Sequence, residues 1–238
     1  MRIDPELCIA CGECIDCCPM EAIKLETHTA VIDEDECVEC GVCYRSKACP
    51  VDAFVFDPVP WPRSVRNAFS DPLKEHRETG MAGRGTEEMK TNDVTGRYKR
   101  GWVGMGCEFG RPGVGARLSD LNKVARALAK YGVEFEPKNP VTALMVDRKT
   151  GEIRADVLNE KVLSATLECV FPMHKLEEVL GTLRQVSLEV NSVFSCEVIN
   201  RADPDGSFPV RKKLDDMGMP YNLNGKQNAG LGRPRADS

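Results

Sequence analysis

Residues 8–19 read CIACGECIDCCP, and residues 37–50 read CVECGVCYRSKACP. Nine of the twelve cysteines fall in these two runs. Cys8, Cys11 and Cys14 are spaced C-x2-C-x2-C, and Cys18 followed by Pro19 closes the run. Cys37, Cys40 and Cys43 repeat that spacing, and Cys49 followed by Pro50 closes it. Thiolates are soft ligands that select zinc, copper(I) or iron–sulfur clusters. The short spacings put three thiols of each run on one loop, so a fourth must come from elsewhere. Two zinc sites would take two sets of four cysteines, but zinc has no need of a third close cysteine followed by Cys-Pro.

The two runs belong to an internal repeat. The first three cysteines of each map onto one another with a shift of 29, and beyond the fourth cysteine the shift is 31. There Pro19, Ala22 and Ile23 map onto Pro50, Ala53 and Phe54. Each half reads as a metal loop, a helical turn and a short apolar strand. Residues 1–58 resemble a bacterial-type two-cluster 4Fe–4S ferredoxin domain, as in the electron-transfer subunits of anaerobic oxidoreductase complexes. The resemblance rests on eight cysteines, two prolines and the duplication, and covers about a quarter of the chain. It implies two 4Fe–4S clusters with crossed ligation. Carried over by position, Cys8, Cys11, Cys14 and Cys49 hold one cluster, and Cys37, Cys40, Cys43 and Cys18 hold the other. Gly12 and Gly41, after the second cysteine of each run, let the backbone pass close to a cluster. Two features depart from the pattern. Five residues, YRSKA, separate Cys43 from Cys49 where the pattern has three, and Cys17 is surplus. Cys17 reads as a spare thiol packed near a cluster, with an alternative-ligand role as the other reading.

The surrounding composition fits a metal module more than an exported disulfide scaffold. The N-terminus, MRIDPELC, lacks the pattern of a secretory signal, so the expected compartment is cytoplasmic, where clustered cysteines are metal ligands more often than disulfides. No run of 18 apolar residues occurs, so no membrane span is expected. Residues 1–58 carry 13 acidic and 4 basic side chains, whereas the remainder carries 24 acidic and 28 basic ones. An acidic cysteine region argues against nucleic acid as its partner and suits docking on a basic protein surface. Acidic surroundings also favour an oxidised cluster and a low potential.

The rest of the chain divides by pattern into three stretches, and the expected fold class is α+β. Residues 59–100 are charged, have no sustained period, and read as an extended linker, with a short helix possible at Leu73 to Glu78. Residues 101–200 read as β-α-β-β-α-β, a ferredoxin-like or ACT-like sandwich in pattern only. Its strands are WVGMGCEF and Ser164 to Phe171, and its helices begin at Leu118 and at Pro172. A hairpin is expected from Val141 to Val157, and a last strand opening at Leu188 and Val190 and running to Ile199. Residues 201–238, rich in Gly, Pro, Asn and charge, read as an extended C-terminal arm whose Phe208, Pro209, Met219, Pro220 and Tyr221 could anchor it on another surface.

Other candidate sites are weaker. Cys107, Cys169 and Cys196 alternate with apolar residues and read as core thiols, against the option of a third metal site. The loop GRPGVGA, with Arg111 and Arg117, reads as a structural or protein-contact loop before an anion site. His28, His76 and His174 are scattered, no catalytic set is recognisable, and Lys and Arg from 63 to 100 read as solvated or partner-facing. The expected function is therefore an electron-transfer subunit relaying single electrons through two clusters. Its partners would be a redox donor or acceptor and a larger oxidoreductase catalytic subunit in a hetero-oligomer. The alternatives are an ACT-like small-molecule sensor fused to a ferredoxin, and a single-chain redox enzyme with its active site in residues 101–200.

Overall fold

A computed structural model describes residues 1–86, 96–110 and 113–223. At the N-terminus β1 (Arg2–Ile3) is followed by the first cysteine loop, β2 (Ile23–Leu25), β3 (Ala30–Ile32), the second loop with α1 (Val42–Arg45), and β4 (Phe54–Val55). β1 pairs with β4 and β2 with β3, both antiparallel, so the two ends of the repeat close on each other. Almost no regular structure is present because the loops must hold thiols, not bury a sheet. α1 runs into the longer stretch between Cys43 and Cys49.

The stretch expected to be extended contains α2 (Ser64–Ser70). Val65 and Phe69, on one face of it, join the main core, and Arg66 is buried as well. Two apolar residues give no readable period, so this helix was not legible. The helix considered at Leu73 to Glu78 does not form. Pro72 follows the end of α2, Leu73 is 73% exposed, and the His76 amide turns to the Met81 carbonyl instead.

The larger half contains β5 (Trp102–Phe109), β6 (Ala116–Arg117), α3 (Leu118–Ala129), β7 (Glu134–Phe135) and α4 (Pro140–Ala143). It continues through β8 (Met145–Asp147), β9 (Glu152–Ile153), β10 (Lys161–Val162), β11 (Ala165–Pro172), α5 (Leu176–Val186), β12 (Phe194–Ile199) and α6 (Pro209–Asp216). The main sheet has the order β12-β5-β11-β7 with every neighbour antiparallel. Met105, Cys107 and Phe109 of β5 share one buried core with Leu167, Cys169 and Phe171 of β11. Leu118, Leu121, Val124 and Leu128 of α3, and Leu176, Val179 and Leu183 of α5, complete that core. The small pair β6–β10 carries the chain from this sheet towards the cysteine loops.

Several boundaries differ from the sequence pattern for local reasons. The hairpin is shorter, because the Asn139 side chain accepts from the Val141 and Thr142 amides and starts α4 with Pro140 in its first turn. Pro172 ends β11, and α5 is entered through a tight turn at Met173–Lys175. Leu188 opens no strand: it is 88% exposed, and its amide bonds back to Gln185. β12 starts only at Phe194. The C-terminal stretch is not extended throughout, since α6 buries Val210 and Leu214, one turn apart, in the main core. Met219 and Tyr221 pack against the same core, whereas Phe208 is exposed. Arg111, and the end of the arm from residue 224, lie outside the described residues. Among the described residues no helix is long and apolar enough to cross a membrane.

Candidate iron–sulfur site

The backbone of the two cysteine loops repeats a strained pattern. Ala10 (φ 54°) and Gly12 (φ 81°) flank Cys11, and Glu39 (φ 56°) and Gly41 (φ 68°) flank Cys40. Glu21 (φ 52°) and Asp52 (φ 50°) follow the two Cys-Pro corners. Left-handed residues other than glycine cost roughly 1–3 kcal/mol each and persist where the surroundings require them. Here they curl each loop around a hollow.

Those hollows collect the predicted cysteines in two sets. Cys8, Cys11, Cys14 and Cys49 line one, with Ile9, Ala30 and Phe54 among the apolar residues around them. Cys18, Cys37, Cys40 and Cys43 line the other, with Met20, Ala22 and Val38. Each set takes its distant member from the other half of the repeat. Main-chain amides aim at three of the sulfurs: Ala22 N donates to Cys18 Sγ (3.3 Å), Ala53 N to Cys49 Sγ (3.2 Å) and Ala30 N to Cys8 Sγ (3.4 Å). The amide of Ala30 holds the Cys8 thiol below its usual range. Burial pushes Cys14, Cys37 and Cys40 up, and Cys43 up to about 12, with neighbouring thiols adding to the effect at Cys14, Cys40 and Cys43 and the Glu39 carboxylate at Cys37. Such thiols ionise together only when a cationic group compensates their charge. Among the described residues, no three His, Cys, Asp or Glu side chains converge as a single-ion site. Thiols spaced around an apolar hollow, with amides on sulfur, fit a 4Fe–4S cluster.

The second hollow is roofed by the rest of the chain. The Arg66 guanidinium donates to the carbonyls of Glu34 (2.9 Å), Asp35 (3.0 Å) and Cys37 (2.9 Å), and pairs with Glu160. Arg63 pairs with Glu39 (2.8 Å), which also receives the terminal amine of Met1 (3.0 Å). Arg45 donates to the Cys40 carbonyl (2.6 Å) and pairs with Asp71 (3.0 Å). Leu163 packs on Met20 and its neighbours, and Lys161 pairs with Glu36. Of the stretch GRPGVGA, residues 113–116 make contacts on this side. A side chain on Gly115 would meet Met20 at 2.7 Å, and Arg117 pairs with Asp35. The first hollow lies at the open end, where Leu7 (51%) and Ile9 (60%) are exposed and Cys11 reaches the surface.

Arg66 belongs to the basic stretch read as solvated or partner-facing, yet it is 5% exposed. No sequence signal marks it, beyond Arg63 and Arg66 recurring one helical turn apart. Cys196 was expected in the core but is exposed, because β12 is an edge strand; Cys107 and Cys169 are buried as expected. The Cys17 thiol faces the Glu13 carbonyl (3.6 Å). His76 is buried and satisfied by the Gly83 carbonyl (2.6 Å).

Comparison with known proteins places the same segment. The 4Fe-4S dicluster domain family matches residues 1–50. Ferredoxin-1 of Rhodobacter capsulatus is 50% identical over 40 residues, which cover 17% of this chain and 62% of that protein. An uncharacterised ferredoxin of Methanocaldococcus jannaschii is 39% identical over 61 residues, covering 24% of this chain and 95% of that protein. The chain thus spans less than two thirds of the first relative's length. No solved structure matches it. By its N-terminal segment, the chain belongs to the 4Fe–4S ferredoxins, proteins of iron–sulfur electron transfer.

Proposed function

We propose that the chain is an electron-transfer subunit with two 4Fe–4S clusters that relays single electrons to or from a partner oxidoreductase. The observation that carries this reading is the gathering of eight cysteines into two crossed sets of four. Cys8, Cys11, Cys14 and Cys49 would hold one cluster, and Cys18, Cys37, Cys40 and Cys43 the other. A bound cluster supplies one-electron chemistry, and the protein tunes it through hydrogen bonds, charge and burial. The Ala22, Ala30 and Ala53 amides stabilise thiolate charge, and Leu163 and Met20 keep water from the second set. The exposed Leu7 and Ile9 beside Cys11 offer an apolar patch in an acidic module, which suits a redox partner with a basic rim. The second half reads as a ferredoxin-like or ACT-like sandwich, a reading supported by its element order and its sheet order β12-β5-β11-β7. We place it as the part that fixes the cluster module into a larger assembly.

The test is anaerobic reconstitution with iron and sulfide, followed by metal analysis and low-temperature EPR. About eight iron and eight sulfide per chain, with coupled spins on reduction, are expected of two cubane clusters. Cys49→Ser and Cys18→Ser should each remove or alter a different one. Stoichiometric zinc without sulfide, or a single cluster, would overturn the reading. Anaerobic co-purification from native cells then tests the partner, and recovery of the chain alone counts against a hetero-oligomer.

A further inference from the structure

β12 is the open edge of the main sheet, and it places Cys196 directly opposite Cys107 of β5. Antiparallel pairs alternate between hydrogen-bonded and non-bonded types. The Gly110 amide donates to the Val193 carbonyl at 3.0 Å, and these residues continue the same register. Counting inward, Phe109–Phe194 and Cys107–Cys196 are non-bonded pairs on the same face. In such pairs the Cα atoms stand about 4.5 Å apart and the side chains are at their closest. The Phe109 and Phe194 rings, stacked at 4.8 Å, show that closeness one step along. The same spacing falls within the range that a disulfide spans, roughly 4.4–6.8 Å between Cα atoms.

The pair is chemically unequal. Cys107 is wholly buried, while Cys196 is exposed. The neighbouring Cys196 thiol, together with burial, pushes the Cys107 thiol well above its ordinary range. Cys107 therefore keeps its proton, and Cys196 is the sulfur that solvent reaches. Cys169 flanks them from β11 but stands opposite Met105, not a cysteine, and is itself buried.

We propose that Cys107 and Cys196 are a redox-active dithiol, with Cys196 as the attacking thiol and Cys107 as the resolving one, which closes by exchange with low-molecular-weight disulfides. The Cys196 thiolate attacks one sulfur of the small disulfide R–S–S–R, breaks its S–S bond and releases one thiolate, RS⁻. Cys107 then attacks Cys196 Sγ, its proton passing to the departing sulfur, which leaves as the second RSH. In becoming the cystine, the two cysteines give two electrons and two protons to the small disulfide, which becomes two thiols. The site does not depend on the clusters. It does lie close to them along the chain path, since Ser192 Oγ donates to the Gly115 carbonyl (2.6 Å) just before β12, and Gly115 rests against Met20.

The probe is oxidised glutathione, added anaerobically to the full chain with its clusters in place. The reaction is quenched by alkylation and mapped as non-reduced peptides. The expected product joins the Cys107 and Cys196 peptides, carries no glutathione, and reverts with dithiothreitol. Cys107→Ala should instead retain glutathione on Cys196, and Cys196→Ser should leave Cys107 unreacted. Circular dichroism checks that each variant is folded. If Cys107→Ala fails to fold, the proposal still stands or falls on the wild-type map and Cys196→Ser. Glutathione remaining on Cys196 of the wild type with no linked peptide would overturn it, as would two free thiols after exposure that modifies other surface cysteines.

Discussion

The Arg66 guanidinium ties three main-chain carbonyls of the second cysteine loop to the Glu160 carboxylate. At 5% exposure it is a buried charge whose removal strands other groups. Arg66→Met should therefore destabilise the holoprotein by about 3–5 kcal/mol, the usual range for breaking one side of a buried pair. Denaturant unfolding under anaerobic conditions measures it. Lysine should not rescue, because an ammonium cannot reach the fork of acceptors that a planar guanidinium reaches. Adding Glu160→Met to Arg66→Met should recover part of the loss, since the orphaned carboxylate is then gone. His76 gives a prediction of a different kind. Burial lowers its imidazole below the usual range, while its ring nitrogen meets the Gly83 carbonyl and its ring packs edge-on with that of Phe69. With the folded value depressed, His76 adds no pH dependence above the unfolded value of about 6.5. As pH falls below that value, the unfolded chain takes up the proton first, and stability declines until the folded value is passed. His76→Gln keeps a donor without a titration, so the difference between its stability and that of the wild type should shrink or reverse as pH drops from 7 to 5. Parallel curves across that range would remove His76 as a source of acid sensitivity.

Among the elements, those that bury a whole face were legible and those that bury a corner were not. β5 and β11 alternate over their full length, and α3 and α5 carry apolar residues on every turn, so pattern alone located them. α2 and α6 each bury two apolar residues in the shared core, below what any periodicity detects. Leu188 and Val190 imitated the alternation of Val133 and Phe135, but turns after α5, with the Asn191 amide bonded to Asp120, leave no strand partner there. The cysteine sets were legible for another reason: ligand chemistry constrains spacing more tightly than packing does. The roof over the second set was not, because a buried arginine and a solvated one look the same in a charged run. The contact loop was half legible. Its glycines were visible, but their need appears only in three dimensions. Gly110 has φ 85°, and a side chain there would meet the Leu163 carbonyl at 2.6 Å. Gly80 has φ 63° with nothing within 4 Å. Gly110→Ala should thus cost about 2–4 kcal/mol, by strain plus overlap, against about 1 kcal/mol for Gly80→Ala, by strain alone. Equal melting shifts for the two would mean that the loop yields freely.

On the scale of the whole molecule, the two hollows stand in unlike positions. The set of Cys18, Cys37, Cys40 and Cys43 lies under α2 and β10, closed by Arg63, Arg66 and Leu163. The set of Cys8, Cys11, Cys14 and Cys49 opens beside Leu7, Ile9 and the exposed Cys11. Under the proposed two-cluster relay, the open set would exchange electrons with an outside protein, and the roofed set would face inward. The asymmetry also predicts unequal lability. A chelator reaches iron at the open end after little local opening, whereas the roofed end must first part from the larger half. A difference in opening free energy of only about 1.4 kcal/mol makes the rates differ roughly tenfold. Iron release from the reconstituted chain into a ferrous chelator, followed by absorbance, should therefore be biphasic. Cys49→Ser should abolish the fast phase and Cys18→Ser the slow one. Arg66→Met should accelerate the slow phase alone, because it loosens the roof without touching the open set. A single phase in the wild type, or a fast phase that disappears with Cys18→Ser, would reverse the assignment of the outward and inward ends.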